Sequence, residues 1–295
     1  MSELIIIQLS LTLMVPLLLA SIGEIINEKA GVINIGIEGI FLLSALTSVI
    51  ITYYTNNPWF GLITGFGIGA LIGFIHGIIS TFLRGDQIIS GIGINLFAYG
   101  IGVTTLFAIW ESYGNSPSIT KIEKINIYGY VFSPLIFISI ALAVIMYFVL
   151  FKTMIGMKIT ACGENAKSAE LMGIKVLRLR LLSTMLGASL AGLGGAYLAV
   201  DWVGQYTKDI SAGKGFIALA IVAFSKWNPL LAIVGSLIFG FFETLSIYLS
   251  ITYGALAHPY LFKIIPYLAT IVVISLIGSK KLRIPEELGK PYIKE

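Results

Sequence analysis

Four polar side chains stand inside stretches that are otherwise almost wholly apolar. They are Asn34 and Glu38 in GVINIGIEGIFLLSAL, Asn95 in a later run, and Glu243 in another. Asn34 and Glu38 are four residues apart, so on a helix they share a face. Amides and carboxylates at that depth can line a polar pathway for a solute. They can equally cap a helix break or accept from neighbouring backbone amides. An unpaired carboxylate at the centre of a membrane costs on the order of 3 kcal/mol, so each must meet a partner, a cavity or an interface. These four are the candidate substrate pathway.

Little else in the sequence has the residue types that chemistry needs. The single cysteine, Cys162, excludes an internal disulfide framework and any multi-cysteine metal site. His76 and His258 are too few and too far apart for a metal cluster. His76 reads as a packed, neutral imidazole, and His258, just before Pro259, as a solvated turn residue. Two stretches, beginning at Gly65 and Gly213, match G-x-G-x-x-[GA], but neither follows a predicted strand, so neither is a dinucleotide site. There is no G-x-x-x-x-G-K-[ST], no G-x-S-x-G and no HExxH. No catalytic residue, no metal and no cofactor on this chain are expected.

The elements that must position these residues are membrane helices. Of 295 residues, 57% are apolar and 12% charged, about half the charge usual for a soluble domain. Mean hydropathy is +0.94. With 32 glycines, this composition is that of an all-α, polytopic membrane protein with tightly packed helices. Spans of about 20 apolar residues are expected at 4–22, 33–52, 60–83, 88–110, 132–151, 181–200, 213–225, 228–250 and 261–279. That is nine, within an expected range of roughly 8–10. The first lacks the basic flank of a cleaved signal and is too long for one, so it is read as a spanning helix. The run 213–225 is too short to cross and is expected to be broken or re-entrant, which is tolerable only where protein buries it.

Lysine and arginine cluster at 152–180 and 280–294. With both clusters in the cytoplasm, fourteen of the nineteen basic residues fall inside, the N-terminus lies outside and the C-terminus inside. The basic residues therefore report topology, and no nucleic-acid partner is expected. Gly61, Gly65, Gly69, Gly73 and Gly77 recur at every fourth position, and Gly187, Ala191, Gly195 and Ala199 repeat the device, giving bare faces for close helix packing. Within 152–180, ENAKSAELMGIKVLRLR reads as a short amphipathic helix outside the bilayer, with Asn165 or Ser168 as N-cap and Gly173 as its stop. Such a helix rests on membrane lipid or docks in a groove of a soluble partner.

Several blocks resemble a known family. EKAGVINIGIEGIFLLSAL (28–46), GENAKSAELMGIKVLRLRLLSTMLGASLAGLGGAYLA (163–199) and GKGFIALAIVAFSKWNPLLAIVGSLIFGFFETL (213–245) are similar to the permease superfamily for branched-chain amino acids, simple sugars and nucleosides. PYLATIVVISLIGSKKLRIPEELGKPY (266–292) and Lys226-Trp227-Asn228-Pro229 resemble its nucleoside branch. Ser225 departs from the pattern, standing where a glycine is expected.

The resemblance implies a large-type ABC importer permease fold, one transmembrane domain over 1–295, in a prokaryotic cell membrane. It implies a second, related permease subunit, cytoplasmic ATP-binding cassette subunits that carry ATP and magnesium, and an external substrate-binding lipoprotein. The loop about 152–180 would couple to the ATPase through Glu164, Ala169, Met172 and Gly173, and the tail about 280–295 would be cytoplasmic. Bulky residues at Ala169 or Gly173 should then uncouple transport without unfolding the protein, and Cys162 should serve as a labelling handle beside the coupling helix. Sugar or branched-chain amino acid transport remains the alternative within the class. The alternative outside it is an ion-coupled transporter in which Glu38 or Glu243 titrates.

Overall fold

A computed structural model describes residues 3–127, 129–253, 259–278 and 284–293. His258 and the basic residues Lys280, Lys281, Arg283 and Lys294 lie outside the described residues. Twelve helices are described: α1 (Glu3–Lys29), α2 (Ile37–Thr55), α3 (Pro58–Gly77), α4 (Gln87–Trp110), α5 (Pro134–Lys152), α6 (Met154–Glu164), α7 (Ala166–Leu171), α8 (Val176–Tyr197), α9 (Lys214–Phe224), α10 (Pro229–Tyr253), α11 (Pro259–Phe262) and α12 (Ile265–Gly278). One antiparallel hairpin pairs Ile125 with Phe132. Among the described residues, seven helices are long and apolar enough to cross a membrane. The protein is an all-α, multi-pass membrane protein.

Helix starts follow local chemistry. Asn57, Asp86 and Ser133 each accept backbone N–H groups of the first turn of α3, α4 and α5, and Pro58 and Pro134 take the position that needs no donor. Two π-helical turns, Ile78–Phe82 and Leu198–Val203, extend α3 and α8.

α1 is the axis of the bundle. Its residues from Leu13 to Ile26 are buried and, Ser21 and Glu24 apart, carry no polar side chain, as suits a central helix. α8 crosses it where Gly23 meets Gly187: a Cβ on Gly23 would stand 2.2 Å from the Gly187 carbonyl oxygen. On its other side α8 receives the glycine ladder of α3, and a Cβ at Gly69 would stand 2.3 Å from the Ala188 oxygen. The ladder is a packing device, as its spacing implied.

The expected spans need two corrections, and one short run stands as expected. Residues 33–36 are not helical, and α2 begins only at Ile37. The run 213–225, expected to be too short to cross unaided, is an eleven-residue helix, α9. The run 261–279 is divided between α11 and α12. In the first two cases the backbone leaves helical geometry where polar side chains or carboxylates supply its hydrogen bonds.

At one end of the bundle the close of α1, the segment α6–α7 and residues 284–293 meet. Glu287 N donates to Gly163 O, and Gly289 N to Gly31 O. At the opposite end the 111–133 loop folds over the end of α8. There Lys124 forms a 2.8 Å ion pair with buried Asp201, and Lys121 donates to the Trp202 carbonyl.

Candidate functional site

The connection between α1 and α2 runs through protein interior as unwound chain, and side chains from three helices satisfy its backbone. Ile33 N donates to Gln87 Oε1 at 2.8 Å, and Asn34 N to Glu24 Oε1 at 2.7 Å. Asn95 Nδ2 donates to Ile35 O at 3.1 Å while its Oδ1 accepts from Gly39 N at 2.7 Å. Asn34 Oδ1 accepts from Gly36 N, two residues on. His76 Nε2 lies 3.1 Å from Ile33 O, which can only accept, so that nitrogen carries the proton. Its Nδ1 lies 2.9 Å from Ser90 Oγ, so both ring nitrogens are partnered. Unpaired backbone at membrane depth is costly, and here every one of these groups is partnered.

The second break is the short helix α9. Glu38, at the start of α2, seats its carboxylate on α9's N-terminus. Oε1 accepts from Ser211 Oγ at 2.5 Å and Gly213 N at 2.7 Å, and Oε2 from Gly215 N at 2.8 Å. The helix dipole favours an anion at that position. Gly213 sits at φ +76, and a Cβ at Gly215 would stand 2.5 Å from Glu38 N, so both positions require glycine. At α9's other end Trp227 Nε1 donates to Glu28 Oε2 at 2.6 Å. Lys214, buried in α9's first turn, pairs with Glu243 of α10 at 2.7 Å. That pair borders a cavity of about 170 Å³ whose walls include Ala212, Ser246 and Tyr267.

The four pathway candidates therefore meet. Asn34 and Asn95 hold the break before α2, Glu38 joins that break to α9, and Glu243 reaches α9's first turn through Lys214. The result is a polar seam across two interrupted helices.

The coupling candidates lie at the basic end. Asn165 Oδ1 accepts from Ser168 N and is the N-cap of α7. Gly173, at φ +82, closes the turn after it. Leu171 and Met172 project outward, at 83% and 84% exposure, and Glu164 is exposed. Ala169 faces inward instead, packed with Cys162, Ala166, Val176 and Tyr292. A bulky residue at Ala169 would therefore disrupt the chain's own packing, whereas a Cβ at Gly173 meets open space but a strained φ. Cys162 is fully buried, and burial pushes its thiol up to about 11. It is not the surface handle its place in the sequence suggested.

The sequence profile described as branched-chain amino acid transport system / permease component matches residues 6–274. The chain belongs to this permease family. The nucleoside ABC transporter permease protein NupC of Lactococcus lactis subsp. cremoris is 34% identical to it, over 95% of this chain and 93% of its own. The guanosine ABC transporter permease protein NupQ of Bacillus subtilis is 34% identical over 98% and 97%. TsgC13 of Haloferax volcanii, provisionally named a glucose ABC transporter permease protein, is 30% identical over 95% and 94%. No solved structure has significant similarity to the chain.

Several residues of the permease's seam escaped sequence reading. Glu24 and Glu28 fall beyond the expected end of the first span at 22, so they read as loop residues, although α1 runs on to Lys29. Their spacing of four, facing one side of a helix, was the available signal. Gln87 and Lys214 sit at helix starts, where polar residues are ordinary. Arg180 was counted only as a basic residue, yet it is 1% exposed.

Proposed function

We propose that this permease is the transmembrane subunit of an ATP-driven ABC importer for nucleosides. The observation that carries the reading is the 34% identity, along nearly the whole chain, to permease proteins named for nucleosides and for guanosine. A sugar substrate is the second reading, favoured by the similarity to TsgC13. An ion-coupled mechanism through Glu38 is not the reading we propose: both oxygens of its carboxylate are already held by Ser211 Oγ, Gly213 N and Gly215 N.

In this reading the basic end faces the cytoplasm, with the N-terminus outside, in a prokaryotic cell membrane. Two permease subunits, this chain and a related one, enclose the pathway. Leu171 at the end of α7 and Met172 just after it enter a groove on a cytoplasmic ATP-binding cassette subunit, beside the exposed Glu164. ATP and magnesium bind on that partner and not on this chain. An external binding lipoprotein delivers the substrate. Closure of the ATPase domains moves α7, and the motion reaches the α1–α2 break, which is hydrogen-bonded to the same end of the bundle. Glu38, Lys214, Glu243 and the amides Asn34 and Asn95 border the pathway that opens alternately to each side. Breaks at such depth offer polar backbone and side chains where an unbroken helix would offer none.

Purification in mild detergent from the native cell, followed by mass spectrometry, tests the assembly. A second permease and a P-loop ATPase in stoichiometric amounts are expected. A stable complex of this chain alone would overturn the reading.

A further inference from the structure

Residues 284–293 form no long helix, yet they bond in turn to three separate parts of the protein. Glu287 N donates to Gly163 O, at the close of α6, at 2.8 Å. Gly289 N donates to Gly31 O, in the α1–α2 break, at 3.3 Å. The Tyr292 hydroxyl donates to the Glu170 carboxylate on α7, and Tyr292 shares an apolar cluster with Cys162, Ala166 and Ala169.

One side chain gathers these contacts. Arg180, in the first turns of α8, is 1% exposed. Its Nη1 donates to Lys290 O at 3.1 Å, and Nη2 donates to Cys162 O at 3.2 Å and lies 4.0 Å from the Glu287 carboxylate. Its guanidinium carbon is 5.9 Å from the centre of the Tyr292 ring. On the remaining side it presses against Gly31, where a Cβ would stand 2.6 Å from Nη2 and φ is +92. A buried guanidinium is tolerated only when it is paired, and a planar fork with several donors can hold several acceptors in one fixed arrangement. Here the acceptors belong to α6 and the tail, and the contact surface belongs to the break.

We propose that residues 284–293 are a strap, with Arg180 as its positioning residue, that locks α7 to the α1–α2 break. Displacement of α7 is thereby delivered to the break, and not absorbed by bending between α6 and α8. The inference rests on the reading of α7 as the docking helix for an ATPase, and it assigns to the tail a part in the coupling of transport that goes beyond that reading.

The test uses the intact purified complex in proteoliposomes, with two variants. Tyr292→Phe removes the hydroxyl link to Glu170 and keeps the ring. Arg180→Lys keeps the charge and loses the fork. Two quantities are read: substrate taken up per ATP hydrolysed, and the rate at which the chain's only cysteine, Cys162, reacts with a maleimide. The strap predicts an assembled complex with retained ATPase activity, uptake per ATP reduced at least threefold, and Cys162 labelling increased at least threefold. Assembled Tyr292→Phe complex with wild-type uptake per ATP overturns the strap, even if Arg180→Lys fails to fold. Wild-type labelling of Cys162 in that variant also overturns it. Failure of the docking reading looks different: no ATPase accompanies the chain, or Met172→Asp leaves its binding unchanged, whatever Cys162 reports.

Discussion

Glu38 is the residue on which the two helix breaks converge, and its three donors include two backbone amides that nothing else in the described structure satisfies. Glu38→Ala should cost about 3 kcal/mol, from the loss of charge-assisted bonds and the stranding of buried donors. Glu38→Gln should cost less, and thermal unfolding of the detergent-purified protein measures both. The Lys214–Glu243 pair makes a different prediction. Removing one partner, as in Lys214→Met, should destabilise by about 3–5 kcal/mol, whereas Lys214→Met with Glu243→Leu should recover most of the loss, because an uncompensated charge is worse than no pair. Cys162 supplies a pH dependence. Its thiol is pushed up to about 11 from an ordinary value of 9.0, so the folded protein holds that proton more tightly than the unfolded chain. The associated stability is complete below pH 9 and is lost as the pH rises towards 11; a Cys162→Ser protein should lack that decline. At this scale the sequence was informative where polar residues interrupt apolar runs, as at Asn34, Glu38, Asn95 and Glu243. It was silent about their partners on α9, because Gly213 and Gly215 act through backbone N–H groups that no residue type announces.

The helices differ in how plainly their sequences describe them. The α3 ladder was legible because glycine at every fourth position has one obvious use. Gly69→Leu should abolish accumulation of folded protein, since its side chain would enter the α8 backbone, while Gly67→Leu, at a position with open space, should be neutral; fluorescence-detected size exclusion separates the two. The α1–α2 break was not legible. Asn34 apart, GVINIG is apolar whether its backbone is helical or extended, and hydropathy measures side chains only. α9 was recognisable by its shortness, although nothing in its composition indicates that Glu38 and Glu28 hold its two ends. The turn after α7 gives the prediction for coupling: Met172→Asp, at a fully exposed site, should leave the fold and stability unchanged and reduce ATPase binding at least tenfold in a pull-down assay.

The whole molecule is a multi-pass permease whose polar seam lies, partly buried, among α1, α2, α4, α9 and α10 and whose exposed turn after α7 and tail share one end. Family membership was readable from blocks spread along the chain, because packing glycines, the short α9 and the α6–α8 region all leave sequence signatures. Substrate was less readable, since the seam's polar groups largely bind one another and its cavity is small. The most direct measurement is uptake of radiolabelled guanosine, glucose and leucine by proteoliposomes holding the purified complex and its external binding protein, with and without internal ATP and an ionophore. ATP-driven nucleoside import predicts guanosine uptake that requires ATP and is indifferent to the ionophore. Guanosine uptake that persists without ATP and collapses with the ionophore would contradict the ATP-driven mechanism, and ATP-dependent uptake of glucose or leucine alone would contradict the nucleoside assignment.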